Sequence, residues 1–198
     1  MIYILLITAL MIAGISLAWA IYETKRANNR RPFQSMPIYF DMDGVLAKWR
    51  EVPFEATHVK GFFLAAKVDM QILVVVKTLL QLGYDVRILT AAYNRRVIKE
   101  KKAWLKKEAG LKCLTRKRNF KVVPYNTPKV KAVRVGILVD DYSQNLREWQ
   151  VDPYHKAMKY YNGKNGKKRT WKGNFIACNM SPEEMVQRII SMAMQPIV

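Results

Sequence analysis

Four aspartates stand at the ends of two predicted β-strands, where their carboxylates can share one site. Asp41 and Asp43 follow the apolar run PIYF, and Asp140 and Asp141 follow the run VGILV. Gly44 permits a tight turn directly after Asp43, which would bring both of the first two carboxylates into a pocket. Because clustered carboxylates repel one another, we expect a hard cation among them. Mg²⁺ prefers oxygen ligands and commonly bridges carboxylates to phosphate, so the pattern predicts a Mg²⁺ site for a phosphorylated substrate.

A hydroxyl group and an ammonium group complete this predicted site. Thr90 ends the predicted strand 84–90, and Lys129 lies between the third and fourth predicted strands, with Lys131 as an alternative. A lysine in this place adds a charge-assisted hydrogen bond to a phosphate oxygen. Ligands of open parallel sheets bind beyond the carboxyl ends of the strands, which is where these side chains are expected to converge.

The elements that must position these residues alternate between strands and helices. Gly83 and Gly110 end two segments of helical pattern, and Ser181 followed by Pro182 marks the start of the last helix. Such alternation predicts a parallel sheet covered by helices on both faces. We predict strands at 37–41, 84–90, 119–123, 135–140 and 157–161, and helices at 69–82, 95–109, 127–134, 143–149 and from 181 onward.

The segments around the candidate residues resemble the four motifs of the haloacid dehalogenase superfamily of phosphatases. The segments are IYFDMDGVL, RILTA, a downstream lysine and ILVDD, in the family's order across most of residues 37–145. The resemblance implies that Asp41 is the nucleophile that forms an aspartyl-phosphate. It implies that Asp43 acts first as general acid and then as general base. Thr90 and Lys129 are implied to bind the phosphoryl group.

The same resemblance implies a cofactor and a fold. Asp41, the backbone carbonyl of Asp43 and Asp141 are implied to hold Mg²⁺. Asp140 is implied either as a second carboxylate ligand or as a carboxylate behind the ligands. The implied fold is α/β, with a Rossmann-like parallel sheet of the haloacid dehalogenase type in a domain that spans residues 37–198.

Within that superfamily, two aromatic segments resemble the 5′(3′)-deoxyribonucleotidases. DMDGVLAKW is similar to their first motif, and GFFL is similar to a segment of their small cap. The resemblance implies that Trp49 and one of Phe62 and Phe63 stack on a nucleobase, which contributes about 1–3 kcal/mol per base. Only 46 residues separate the second motif aspartate from the motif threonine, so we expect a reduced cap near 48–68. The implied substrates are (deoxy)ribonucleoside monophosphates, hydrolysed as by a 5′-nucleotidase.

The first 22 residues differ from the rest of the chain. They carry no charged side chain, and a helix of about 20 apolar residues crosses a hydrocarbon core of ~30 Å. Cations follow in the linker 23–36, and cytoplasmic flanks carry an excess of Lys and Arg. We therefore predict a transmembrane helix at 1–22 that anchors a cytoplasmic catalytic domain. The alternative is a cleaved signal peptide, because Ala18-Trp19-Ala20 fits the small-x-small cleavage rule.

Composition limits the class of protein and the class of partner. The 198 residues are 51% hydrophobic and 25% charged, which excludes a wholly disordered chain. A formal net charge of +19 favours anionic partners, and the cations concentrate at 95–121 and 156–172. The sequence has no clustered Cys and His for zinc, no P-loop and no nucleophile-elbow serine.

Two classes of function stay open at this stage. The intact set of acids favours an enzyme that acts on nucleotides, with polynucleotide ends or sugar phosphates as alternative substrates. The other class is a binding protein in which these acids are relics and the basic face holds nucleic acid or lipid.

Overall fold

Short apolar runs of the chain form the strands of one sheet, and the amphipathic segments between them form its helices. The computed structural model describes residues 36–48, 50–165 and 171–195. The strands are β1 (Ile38–Phe40), β2 (Val86–Ala92), β3 (Phe120–Pro124), β4 (Gly136–Asp140), β5 (His155–Tyr161) and β6 (Phe175–Ala177). The helices are α1 (Met70–Gln81), α2 (Arg95–Lys107), α3 (Ser143–Trp149) and α4 (Pro182–Met194). Short 3₁₀ turns lie at Phe54–His58, Lys112–Thr115 and Lys129–Ala132.

The sheet has the order β3-β2-β1-β4-β5-β6, and all of its neighbouring strands are parallel. Phe40 at the end of β1 lies opposite Ile88 of β2 and Val139 of β4. This register brings the residues just beyond Phe40 next to Thr90 on one side and Asp140 on the other. The predicted parallel α/β sheet is confirmed, and β6 is an additional strand that the sequence pattern does not predict.

Both faces of the sheet are buried, since successive side chains of a strand point to opposite faces and every residue of β1 and β4 is buried. Ile38 and Phe40 belong to a large core with α1, α2 and α4, whereas Tyr39 packs on the other face. The Tyr39 ring meets the Trp149 ring of α3 edge-on, with centroids 6.0 Å apart. Full burial of a side chain such as Phe40 contributes about 1.5–3 kcal/mol. The central strands that carry the candidate residues are therefore held from both sides.

The end of α1 and the start of α4 agree with the predicted signals, whereas one short predicted helix differs in extent. Asp69 accepts hydrogen bonds from the first amides of α1, and Gly83 follows that helix at φ +83°. Ser181 caps α4 by accepting from the amide of Glu184. The predicted helix 127–134 is wrong in extent, because only the 3₁₀ turn Lys129–Ala132 forms. Val133 is already extended there, as suits a β-branched residue that enters a strand.

The segment between β1 and α1 forms a small insert whose base is closed by backbone hydrogen bonds. An antiparallel bridge joins Ala47 to Val68, and the Lys48 amide donates to the Lys67 carbonyl at 2.8 Å. The insert contains one 3₁₀ turn and several tight turns, so it is much smaller than a folded cap domain.

Some of the predictions lie outside the described residues. These are the membrane helix at 1–22, nearly all of the linker 23–36, and Trp49. Within the residues that the structure describes, no helix has both the length and the apolar character needed to cross a bilayer. The elements named above belong to one unit, Ser35–Val198.

Candidate active site

The turn after β1 presents two aspartates at the carboxyl edge of the sheet. The Asp41 amide donates to the Val139 carbonyl at 3.0 Å, so Asp41 is still tied to β4. The chain then reverses, with Gly44 N donating to Ala47 O at 2.8 Å. Gly44 has φ +79°, and a Cβ placed on it would lie 2.5 Å from Asp141 Cγ. Glycine is therefore required here both for its conformation and for the close approach of a carboxylate.

Three aspartates from two strand ends form an acidic cluster. Asp41, Asp140 and Asp141 each offer a carboxylate oxygen, and these oxygens all lie within 4.8 Å of one another. Burial first, and then the neighbouring carboxylates, raise the pKa of Asp41 to about 6. Burial, followed by repulsion from Asp140 and Asp41, raises the pKa of Asp141 well above its usual value. Both shifts disfavour the charged carboxylates, and a cation bound among them would favour the charged form instead.

Lys129, which the sequence analysis expects near these aspartates, lies inside this cluster. Its Nζ atom is 2.9 Å from Asp41 Oδ1 and 2.6 Å from Asp140 Oδ2. Lys129 is only 3% exposed, whereas the alternative, Lys131, is exposed. Burial alone would lower the pKa of Lys129, but the carboxylates of Asp140 and Asp41 raise it above its usual value. The geometry therefore favours Lys129 over Lys131 as the lysine of the site.

Asp140 and Asp141 differ in what their oxygens contact. Asp140 is fully buried and accepts hydrogen bonds from the Tyr142 amide, from Asn145 Nδ2 and from Lys129. Its two oxygens are thus already occupied by three donors. Asp141 is partly exposed and receives its side-chain hydrogen bonds from two asparagine amides. Both oxygens of Asp140 thus have donors, and this carboxylate orients Lys129, whereas the side-chain hydrogen bonds of Asp141 reach only its Oδ2.

A loop after β5 holds the Asp141 carboxylate in place, and the sequence analysis does not predict it. Asn162 Nδ2 donates to Asp141 Oδ2 at 3.1 Å and to the Gly44 carbonyl at 2.9 Å. Asn165 Nδ2 donates to the Asp141 carbonyl at 2.9 Å. Lys159 of β5 donates to the same carbonyl and, at 2.9 Å, to Ser143 Oγ. Burial lowers the pKa of Lys159. In the sequence, Asn162 and Asn165 lie in a segment that is typical of a turn. Only the pairing of β4 with β5 brings this turn next to Asp141.

A second lysine, Lys101 of α2, joins Asp43 to Thr90. Its Nζ atom donates to Asp43 Oδ2 at 2.5 Å, to Thr90 Oγ1 at 2.8 Å and to the Ala91 carbonyl at 2.8 Å. Lys101 is 1% exposed. The sequence analysis counts it only among the cations of 95–121. Its helical spacing from Val97 and Trp104, which are buried on α2, is the signal that places it on the inner face.

The predicted aromatic residues of the insert border this site on one side. The Phe63 ring lies 4.8 Å from Lys101 Nζ, and the Phe62 and Phe63 rings meet edge-on at 5.1 Å. The Arg50 guanidinium stacks over Phe62 at 3.8 Å. Phe63 is thus next to the lysine that contacts Asp43. Trp49, the third predicted aromatic residue, lies outside the described residues.

The two predicted basic stretches contribute to the site as well as to the surface. Lys101 and Lys159 are buried at the site, whereas exposed cations include Arg95, Lys99 and Lys106 on α2. Part of the second stretch, residues 166–170, lies outside the described residues.

Comparisons with known proteins identify the fold. No protein-family model matches the sequence, and no curated protein matches it. The structure is similar to D,D-heptose 1,7-bisphosphate phosphatase from Burkholderia thailandensis, with a TM-score of 0.50 and 14% identity over 79% of this chain and 99% of that chain. Two structures of the HAD domain of effector protein Lem4 from Legionella pneumophila, one an inactive mutant, give TM-scores of 0.42 and 0.39. Each is 14% identical and matches 81% of this chain, with 95% and 98% of their own chains covered. The similarity to the heptose bisphosphate phosphatase shows that the described part of this chain shares its α/β fold.

Proposed function

We propose that this protein is a Mg²⁺-dependent phosphomonoester hydrolase that works through an aspartyl-phosphate on Asp41, with nucleoside monophosphates as substrates. One observation carries the proposal. The carboxylates of Asp41, Asp140 and Asp141 meet within 4.8 Å at the carboxyl edge of the sheet, beside the Lys129 ammonium. Asp43 and Thr90 stand together at the same edge, joined by Lys101.

The donor set fits Mg²⁺. Three carboxylate oxygens within 4.8 Å of one another are the hard oxygen donors that this ion prefers. Asp41 Oδ1 is buried and lacks a hydrogen bond from the described residues, although the Lys129 ammonium lies 2.9 Å away. Asp41 and Asp141 would hold the ion, together with the Asp43 carbonyl that the family resemblance implies. A Mg²⁺ ion held there would offset the negative charge of the carboxylates and of the phosphoryl oxygens.

The residues of the site then support a two-step transfer. An oxygen of Asp41 attacks phosphorus, the bond from phosphorus to the substrate oxygen breaks, and Asp43 gives its proton to the departing alcohol. Water next attacks phosphorus, Asp43 takes a proton from it, and the bond to Asp41 breaks to release inorganic phosphate. Lys129 balances charge on the transferring group, and Thr90 donates its hydroxyl hydrogen to a phosphoryl oxygen.

The nucleotide assignment rests on the aromatic residues of the insert and on the family resemblance. Phe63 lies beside Lys101, which contacts Asp43. A ring in the leaving group of the substrate would therefore come close to Phe63. Stacking on Phe62 or Phe63 would favour a substrate with a nucleobase over a sugar phosphate.

A second candidate substrate is the terminal phosphate of a polynucleotide. Phe54 of the insert and Tyr125, which follows β3, are 45% and 48% exposed, and their rings lie 5.1 Å apart. Arg95 and Lys99 are exposed cations of α2, which begins shortly after the last residue of β2. Exposed rings among cations are typical of surfaces that bind single strands.

A panel of phosphate monoesters tests both candidates on the full-length protein. The panel contains nucleoside 5′- and 3′-monophosphates, a sugar phosphate and phosphorylated oligonucleotides, each with Mg²⁺ and with excess chelator. We expect Mg²⁺-dependent release of phosphate, fastest from the nucleoside monophosphates. Preference for oligonucleotides, with affinity that falls steeply with salt, would favour the second candidate. Absence of Mg²⁺-dependent hydrolysis across the panel would refute the phosphatase function.

The proposal includes a location. An uncharged stretch at 1–22 followed by cations supports a membrane anchor with the catalytic domain in the cytoplasm, where Mg²⁺ and nucleotides are available.

A further inference from the structure

The buried ammonium of Lys101 has all three of its hydrogens directed at the proposed site. A lysine ammonium has three donors and no acceptor. Here the acceptors are Asp43 Oδ2, Thr90 Oγ1 and the Ala91 carbonyl, at 2.5, 2.8 and 2.8 Å. Burial of a charge is costly unless it is paired and hydrogen-bonded, and these three contacts satisfy the ammonium completely.

These contacts determine which atoms of the neighbouring groups stay available. Because Lys101 can only donate, Thr90 Oγ1 accepts from it, so the hydroxyl hydrogen of Thr90 is free to point to a phosphoryl oxygen. By the same reasoning, Asp43 Oδ2 is occupied as an acceptor. The proton that Asp43 exchanges with the leaving alcohol and with water is therefore carried on Oδ1.

The insert holds Lys101 in this position. The Phe63 ring lies 4.8 Å from the ammonium, and the Gly61 amide donates at 2.9 Å to Oε1 of Glu100, the residue before Lys101 on α2. Trp104, one helical turn further, donates from its indole nitrogen to the Ala66 carbonyl at 2.8 Å. Three residues of one helix face thus fasten the insert to the helix that carries Lys101.

We propose that Lys101 is a positioning residue for the phosphoryl transfer. Its hydrogen bonds direct Oδ1 of Asp43 to the leaving group and the hydroxyl hydrogen of Thr90 to the phosphate. The Phe63 ring of the insert keeps the Lys101 ammonium in this place. This inference rests on the proposed function. It goes beyond it, because neither the motif residues nor the family resemblance includes a lysine on α2.

The test compares p-nitrophenyl phosphate with phenyl phosphate, which have nearly the same shape but different leaving groups. Phenolate is the more basic of the two and depends more on a proton from Asp43. General acid catalysis contributes about 10²–10⁴-fold, and kcat/KM reports the steps up to departure of the leaving group. In Lys101→Met we expect the ratio of kcat/KM for p-nitrophenyl phosphate to that for phenyl phosphate to rise by about tenfold or more.

The matched control is Lys77→Met, which removes an exposed lysine charge from α1 and should keep the wild-type ratio. If Lys101→Met does not fold, as judged by circular dichroism, Phe63→Leu takes its place. Loss of the ring beside the ammonium should raise the ratio by about two- to fivefold. If folded Lys101→Met loses kcat/KM equally on both substrates, Lys101 has only a structural role and the inference is overturned. Inactivity of the wild-type protein on every phosphate monoester would instead refute the proposed function, and this role with it.

Discussion

Replacement of Gly44 by alanine tests the close approach on which the site depends. A non-glycine residue at φ +79° is strained by about 1–2 kcal/mol, which is partly offset because alanine restricts the unfolded chain by about 0.4–1 kcal/mol. The added Cβ would also lie 2.5 Å from Asp141 Cγ and 2.7 Å from its Oδ1. Asn162 restrains that carboxylate, so it moves only at the cost of a hydrogen bond. Overpacking of this kind costs about 1–3 kcal/mol more.

Gly83 provides the control, since it has φ +83° but nothing within 4 Å of an added Cβ. Gly83→Ala should lower the free energy of unfolding by about 1 kcal/mol through backbone strain alone. Gly44→Ala adds the steric clash with Asp141, so its total loss should be about 2–4 kcal/mol. For a chain of this length, 1 kcal/mol shifts Tm by about 2–4 °C. We therefore expect Gly83→Ala to lower Tm by a few degrees and Gly44→Ala to lower it by at least twice as much.

The assay has two readouts for each variant. Thermal unfolding gives Tm, and calorimetric titration gives Mg²⁺ affinity. Only Gly44→Ala should weaken Mg²⁺ binding, because only its methyl group displaces Asp141. Equal losses of Tm in the two variants, with unchanged Mg²⁺ binding in both, would refute the reasoning.

Four further outcomes are expected. Asp41→Asn should retain the fold but lower turnover more than about a hundredfold, and residual activity within tenfold of wild type would contradict a covalent mechanism. Chelation should abolish activity and Mg²⁺ should restore it, whereas Ca²⁺, with more ligands and longer bonds, should restore it poorly. Burial raises the pKa of Asp41 from 3.8 to about 6, so in chelator the folded protein holds this proton more tightly than the unfolded chain does. Asp41 therefore stabilises the fold below about pH 4, and this stabilisation is lost as the pH rises through about 6. The Tm of wild type should accordingly fall relative to that of Asp41→Asn between about pH 4 and 7. In sealed spheroplasts, external protease should spare the catalytic domain, and acids in place of Lys25, Arg26, Arg30 and Arg31 should weaken that protection. Digestion of the domain while a cytosolic marker survives would favour the signal-peptide interpretation.

The parts of the site that follow directly from strand ends are readable in the sequence. Asp41 and Asp140 end apolar runs, whereas β2 continues past Thr90, the predicted strand end, to Ala92, and a parallel sheet places these positions at one edge. Their approach in the structure follows from the register of β1 with β2 and β4. Lys129 does not follow from a strand end, and only its burial between two carboxylates separates it from Lys131.

The parts that the sequence analysis missed depend on contacts between distant segments. Lys101 reads as one of many cations until the helical period places it on the same face as Trp104. Asn162 and Asn165 lie in a turn whose composition predicts only a loop. Their role depends on the β4–β5 pairing, which no local pattern specifies. Similarly, β6 has three residues, too few for a clear period.

The hydrogen bond from Asn162 to the Gly44 carbonyl joins residues 118 positions apart. During synthesis, every motif residue leaves the ribosome before Asn162, because Asp141 precedes it in the chain. The first four strands can then be complete while the Asp141 carboxylate still lacks the amides that restrain it. Contacts of such separation form late, since the chain between them must be ordered first. Tight binding of the proposed Mg²⁺ ion should thus wait until β5 and the loop after it have left the ribosome.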